Sequence, residues 1–249
     1  IHTQLFHYGP YNYPSQKSMT TNYFRGGIYW KNDWIDLTSQ VTYITMKNSQ
    51  ERPNFSHVLT KDAGDMKAGM TESFTIPFYY DMATLGWLTD AIITPIKGLN
   101  IHVMFTIRNP KYKNFKITPT FSDGVTEEYD FTDKTITALS KTELEIEPSY
   151  RFGKWRVWLS ARYFSKQYIN KTNSLYFNGR WETFGGVDYK LNRHVSFSAN
   201  VVNILKQKGA SGTIPAADLI TDPTPYKNYV MSGTFIRPFT FEFTTKLSL

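Results

Sequence analysis

An all-β antiparallel transmembrane β-barrel wall of about ten strands is the fold class this sequence predicts, and three observations predict it. The first is Phe239–Leu249, where Phe239, Phe241, Phe243, Leu247 and Leu249 share one face and Thr240, Glu242, Thr244, Lys246 and Ser248 the other. A strand turns successive side chains to opposite faces, so this run has one apolar and one polar side. A strand so regular at the end of the sequence suits a wall that closes on itself, because hydrocarbon leaves no backbone group without a partner. The second is an alternation of short and long joints, which matches the turns at one rim of a membrane barrel and the loops at the other. The third is that charges keep off the apolar rows, as they must where an Arg or Lys facing lipid at the midplane costs about 2–4 kcal/mol.

The elements follow in order. Residues 20–31 and 34–47 read as strands joined at Asn32-Asp33, with Trp30 and Trp34 flanking the joint. A long joint, 48–65, precedes a strand at 66–81. Residues 82–97 are too long for a tight turn and predict a short helix or an extra strand. Strand 98–109 sets Ile101, Val103, Phe105 and Ile107 against His102, Met104, Thr106 and Arg108, and 112–120 either continues it or forms the next strand. After a long joint at 121–135, strand 136–151 sets Leu144 and Ile146 against Glu143, Glu145 and Glu147. Gly153-Lys154 turns the chain into 155–169, where Trp155, Val157, Leu159, Ala161 and Tyr163 oppose Arg156, Trp158, Ser160, Arg162 and Phe164. A moderate joint at 170–174 leads to strand 175–191, then Asn192-Arg193 to 195–207, where Val195, Phe197, Ala199 and Val201 oppose Ser196, Ser198 and Asn200. The last long joint, 208–226, precedes 227–236 and 239–249, which meet at Arg237-Pro238. Tyr150, Phe152 and Trp155 flank Gly153-Lys154, and Phe235 and Phe239 flank Arg237-Pro238, as in an aromatic girdle at headgroup level beside the short turns.

Composition narrows the function. The 249 residues suffice for one domain, and a mean hydropathy of −0.41 excludes the run of about 20 apolar residues that a membrane helix needs. No cysteine is present, which excludes disulfides and zinc-thiolate sites. Ile1-His2-Thr3-Gln4 has neither a basic nor an apolar leader region, so an export signal is expected to be removed or upstream. The 28 Lys and Arg behind the net charge of +7 are scattered, which argues against nucleic acid as a partner. The five histidines are far apart and lack metal-ligand spacing, no nucleophile elbow or phosphate loop is present, and no metal, cofactor or enzyme activity is expected. Asp62 and Asp65 beside His57 are the one place where a surface enzyme would find acid–base groups, and polar residues in a solvated loop explain them better.

Two segments carry a resemblance. Val195–Gly209 (V-S-F-S-A-N-V-V-N-I-L-K-Q-K-G) and Tyr229–Leu249, with Gly233 and Ile236-Arg237-Pro238-Phe239-Thr240 leading into the closing strand, are similar to the last two strands of TonB-dependent outer-membrane receptors. The intervening G-A-S-G-T-I-P-A-A-D-L-I resembles receptors of the Bacteroidetes, while Leu249 departs from the usual terminal Phe. The resemblance implies that residues 1–249 are a single segment, the C-terminal part of a 22-stranded barrel whose plug domain and earlier strands lie elsewhere. It further implies a Gram-negative outer-membrane receptor importing a small nutrient (glycan, siderophore, cobalamin or peptide). Its partners would be outer-membrane lipid, the TonB complex acting through the missing plug, and a surface lipoprotein. Extracellular ligand contacts are expected at Tyr8, Tyr11, Tyr13, Tyr168, Tyr176 and Tyr226, with Tyr229 close by, because aromatic faces stack on sugars and chelator rings alike. Glu143, Glu145 and Glu147 with Arg151, Arg156 and Arg162 are expected to line the lumen as cross-strand charge ladders. A self-contained small barrel acting as a pore or surface enzyme, and a soluble carbohydrate-binding β-sandwich, are the competing architectures.

Overall fold

The computed structural model describes residues 17–214, 217–228 and 233–247, and the backbone alone at 7–8 and 11–12. Nine long strands form one antiparallel sheet in which every strand pairs with its sequence neighbours. They are β1 (Thr20–Lys31), β2 (Ile35–Glu51), β3 (Phe78–Ile93), β4 (Leu99–Lys113), β5 (Thr142–Phe152), β6 (Trp155–Phe164), β7 (Arg180–Lys190), β8 (Val195–Val202) and β9 (Thr240–Leu247). β1 and β9 are the two edges, so these strands form an open sector of a wall. One continuous sheet also rules out the two-layered sandwich. No helix among the described residues is long and apolar enough to cross a membrane, so any crossing is made by strands.

The joints alternate as expected, with some boundaries moved. The short ones are 32–34, 94–98, 153–154 and 191–194, all at one rim, and the long ones are 52–77, 114–141, 165–179 and 203–239. Two short turns use one device: Asn32 Oδ1 accepts the amides of Trp34 and Ile35 (3.0 and 2.9 Å), and Asn192 Oδ1 those of His194 and Val195 (2.8 and 2.9 Å). At Gly98, with φ +91°, a Cβ would sit 2.5 Å from the Arg151 carbonyl oxygen, so only glycine fits where that turn passes β5.

Four expectations are corrected. Residues 82–97 hold no helix; the other reading, a strand, is what forms, since they are most of β3 and its short turn. The phase was hidden because Ala83, Thr89 and Ala91 share the outer row while Leu88 and Ile92 face inward, a weaker contrast than in β6. Residues 71–75 form a hairpin with 54–58 inside the first long loop, so of the strand expected at 66–81 only 78–81 lies in the wall, as the start of β3. Residues 112–113 continue β4, whereas 116–117 pair with 129–130, so the rest of 112–120 leaves the wall. Arg237-Pro238 lies at the long-loop rim, because Thr240 pairs with Val202, and only 234–235 of the strand expected at 227–236 pairs, with 210–211. Phe235 and Phe239 therefore do not belong to the short-turn girdle.

Register sorts the faces. Trp155, Val157, Leu159, Ala161 and Tyr163 lie opposite Tyr189, Val187, Gly185, Thr183 and Trp181, and β8 and β9 continue the band with Ala199–Phe243 and Val201–Phe241 pairs. Leu159, Phe241, Phe243 and Leu247 stay more than half exposed, so these rows are covered by no other layer among the described residues. Within β5 to β9 this outer row holds no charged residue; the Arg, Lys, Asp and Glu all stand on the inner row.

The buried core lies among the long loops instead. Phe55, Phe74, Ile76, Phe115, Ile117, Phe121 and Phe131 pack with Tyr80 and Tyr112 from the upper ends of β3 and β4. A solvated loop cannot bury that much aromatic surface; 52–77 and 114–141 fold together as a cap on the wall.

Candidate functional site

The inner face is a surface of paired charges at mid-height. Arg162 donates Nη2 to Glu145 Oε1 (2.9 Å) across β5 and β6, as the ladder expectation requires. Glu143 turns the other way and takes Arg108 of β4. Glu147 stands opposite His102, whose Nε2 lies 2.9 Å from Asp90 Oδ1, and pairs with no arginine among the described residues. Arg180 donates Nε to Glu182 (2.8 Å) and lays its guanidinium over Phe164, 4.4 Å from the ring centre. Arg151 and Arg156, expected to face acids, stand directly opposite each other, and among the described residues only Arg156 has a carboxylate, Asp188 at 3.5 Å. Between these charges Trp158 covers Gly186, and with Arg156, Ser160, Arg162, Phe184 and Asn200 it lines a concavity of about 410 Å³. Ser160 Oγ and Arg162 Nε are buried there without a hydrogen-bond partner.

The expected tyrosines divide. Tyr168 and Tyr176 are cross-strand partners in a short hairpin of 167–168 with 176–177, their rings edge to face at 6.3 Å. Lys166 places its ammonium 4.8 and 4.6 Å from the two ring centres, so a cation already occupies their shared face. Tyr226 closes a single 3₁₀ turn, Thr224–Tyr226, in the last long loop. Tyr8 and Tyr11 pair through their backbones, and Tyr13 and Tyr229 lie outside the described residues.

What the sequence did not reveal is how tightly the loops are tied to one another. His57 does not engage Asp62 or Asp65; Asp62 takes Lys67 and the Ala68 amide on an exposed loop. Its ring instead lies between Asp123 Oδ2 (3.2 Å from Nε2) and Glu127 Oε1 (3.1 Å from Nδ1) and stacks on Phe121 at 4.6 Å. Asp123 also accepts the amide of Thr60 (2.8 Å), its hydroxyl (2.9 Å) and the amide of Val125 (3.0 Å). The Thr60 amide above all, against an opposing effect of desolvation, holds the Asp123 carboxyl well below the usual carboxylate range. Farther along, fully buried Asn170 donates to the carbonyls of Ala217 and Ile220 (3.0 and 3.1 Å) and accepts from the Leu175 amide, binding loop 165–179 to loop 203–239. Burial pushes the neighbouring Lys171 ammonium toward neutrality, and the hydrogen bond and charge of Asp218 more than offset that, leaving it above the ordinary lysine range. The legible signal was period-two apolar pairs inside loops, such as Phe74 with Ile76 and Phe115 with Ile117.

No protein-family model and no curated protein matches the sequence. Solved structures do. The ferric-catecholate import receptor Fiu from E. coli K12 aligns over 93% of this chain and 28% of its own, at 16% identity and a TM-score of 0.59. BauA, the ferric preacinetobactin receptor of Acinetobacter baumannii, aligns over 94% and 30% at 19% identity and 0.57. The copper transporter OprC aligns over 93% and 31% at 12% identity and 0.64. The chain thus spans under a third of each, and at these identities the likeness is one of fold. The nine strands with their capping loops have the fold of a sector of the transmembrane wall of TonB-dependent outer-membrane receptors.

Proposed function

We propose that this chain is part of the wall of an outer-membrane import receptor and that its inner face borders the path of a nutrient. The observation that carries the reading is the sorting of side chains: an exposed apolar band outside, paired charges inside, and a folded cap at one rim only. Hydrocarbon selects the first, a water-filled or protein-filled lumen the second, and recognition at the cell surface the third. The capped rim then faces outward and the short turns face the periplasm. Receptors of like fold are described as taking ferric chelates and copper, which puts ferric siderophores first among the nutrients to test, before glycans, cobalamin and peptides. Energy would come from the TonB complex, acting on a plug outside these residues, and the protein would bind and move its ligand without altering it. Lys166 with Tyr168 and Tyr176 is the surface feature best suited to an anionic, ring-bearing ligand.

The test is uptake of labelled ferric chelates and the other nutrient classes by a strain lacking the gene, with and without the wild-type copy and with the TonB complex intact or removed. Restored uptake that disappears with the TonB complex is expected. Identical uptake across the whole panel in all four strains would sink the import reading.

A further inference from the structure

One rung of the wall is withheld by covalent chemistry. β5 keeps its full register with β4 through Glu147–His102, Pro148–Ile101 and Ser149–Asn100, whereas its pairing with β6 skips from Ile146–Ala161 to Ser149–Trp158. Pro148 stands in that gap at the level of Leu159, and a proline has no N–H to give. Because the β4 side is unbroken, the donor that is lacking is the one due to the Leu159 carbonyl. Proline in sheets keeps to edges and bulges, but Pro148 lies within a central strand, where hydrocarbon on the outer side offers no replacement donor. β6 stays paired with β7 at the same height, Leu159 with Gly185 and Ser160 with Phe184, so the gap is confined to one seam.

A second, independent observation lies on the same strand. Ser160 is only 3% exposed, and its Oγ and Arg162 Nε are enclosed without a hydrogen-bond partner among the described residues. Arg162 is not free to turn: its Nη2 is on Glu145 (2.9 Å) and its guanidinium lies 5.4 Å from the centre of the Phe184 ring. Three unsatisfied polar groups thus follow one another along β6, the Leu159 carbonyl, Ser160 Oγ and Arg162 Nε, beside the concavity that Glu147, Ser160 and Arg162 help to line. The two side-chain atoms are closed off by this chain's own residues, with β4 and β7 in place on either side, so nothing standing in the lumen reaches them. A cation would serve the carbonyl but not the guanidinium N–H, and an anion the reverse. Water donates and accepts, and a buried water typically makes about three hydrogen bonds. We propose that the β5–β6 seam binds one structural water molecule, which donates to the Leu159 carbonyl, accepts from Arg162 Nε and bonds the Ser160 hydroxyl, and so replaces the rung that Pro148 cannot form. This holds whatever the protein imports.

The test is magic-angle-spinning NMR on the full-length protein in phospholipid vesicles, with polarisation passed from water protons to isotope-labelled backbone carbonyls. The Leu159 carbonyl is expected to receive it several-fold faster than those of Val157 and Ala161, whose rungs to both neighbours are intact. Equal rates at the three would overturn the proposal. Pro148→Ala supplies the N–H, closes the rung and should bring Leu159 down to the rate of its neighbours; fast transfer that survives this change would overturn it too. Ser160→Ala removes the hydroxyl as a relay and should leave transfer at Leu159 in place, whereas its loss would assign the signal to the serine and not to water. A high-resolution crystal structure of the wild-type full-length protein gives a second readout that needs no variant. An ordered oxygen within hydrogen-bonding distance of the Leu159 carbonyl supports the site; a side chain donating to that carbonyl, or an ion in its place, defeats it.

Discussion

His57 and Asp123 are 66 residues apart in sequence, and their side chains meet with the imidazole Nε2 3.2 Å from a carboxylate oxygen that no solvent reaches. With Glu127 on the other ring nitrogen, this contact fastens loop 52–77 to loop 114–141. The imidazole thus has a carboxylate oxygen within hydrogen-bonding distance of each ring nitrogen, one from Asp123 and one from Glu127. His57→Ala should therefore loosen the cap while leaving the sheet intact. Amide protection in 54–58 and 71–75 is expected to fall roughly ten-fold or more, with no change in β6 or β7, as read by hydrogen exchange. Equal losses in cap and wall would show that the two do not open separately.

Acid should act on this contact late. The Asp123 carboxyl is held below its unfolded value, so its contribution to the fold is complete above the unfolded pKa of about 3.9 and is lost as pH falls through the folded value. Between pH 7 and 4 the Asp123 carboxyl resonance is expected to stay that of an ionised group, with titration only below. Asp123→Asn removes the acid-sensitive step. A carboxyl transition near pH 5 would contradict the hydrogen bonding described.

The wall was more legible in the sequence than the cap, for a physical reason. Hydrocarbon tolerates no charge on the outer row, so Trp155, Val157 and Leu159 alternate strictly with Arg156, Trp158 and Ser160, and the period shows without any knowledge of neighbours. The lumen is more permissive, so Leu88 and Ile92 face inward and blurred the phase of β3. Alternation gives the face but not the partner: nothing local shows that Glu143 takes Arg108 from one neighbouring strand while Glu145 takes Arg162 from the other. Pro238 reads as a tight turn at either rim, and only the Val202–Thr240 register places it at the cap. The cap rests on contacts such as His57 with Asp123, for which a single sequence has no period to offer.

The cap core should behave as a packed interior. Phe115 is fully buried among Tyr80, Tyr112 and Phe131, with ring centres 4.2, 5.3 and 4.9 Å away. Phe115→Ala removes those contacts and leaves a cavity, a change that costs about 3–5 kcal/mol in folded cores. Limited proteolysis should then cut within 114–141 at protease concentrations that spare the wild type, while the heat-resistant barrel band on gels persists. An unchanged digestion pattern would mean the loop aromatics are not load-sharing.

Gly186 is predicted to resist even one added carbon. Its position opposite both Trp158 and Asn200 would bring a Cβ to 2.4 Å from Asn200 Oδ1 and 2.7 Å from Trp158 Nε1. Gly26 on β1 has nothing within 4 Å of the same point. Overpacking of this kind costs about 1–3 kcal/mol, so Gly186→Ala should lower the unfolding midpoint in detergent measurably and Gly26→Ala should not. Equal effects would mean that glycine is needed for backbone freedom rather than for the indole that lies over it.

The two faces of the wall can be separated by moving one charge. Leu159 stands on the outer row of β6, half exposed, and Thr244 on the inner row of β9, opposite Ser198. Arginine at 159 would face hydrocarbon, at about 2–4 kcal/mol if it lies near the midplane, whereas arginine at 244 would face the lumen, where that hydrocarbon penalty does not apply. Reversible urea unfolding in phospholipid vesicles should show Leu159→Arg destabilised by roughly that amount and Thr244→Arg within about 1 kcal/mol of wild type. The same pair in short-chain detergent, where water reaches the micelle surface, should differ far less. A soluble sheet would show no such dependence, with neither substitution responding to the lipid, so the comparison between vesicle and micelle tests the sorting of faces itself.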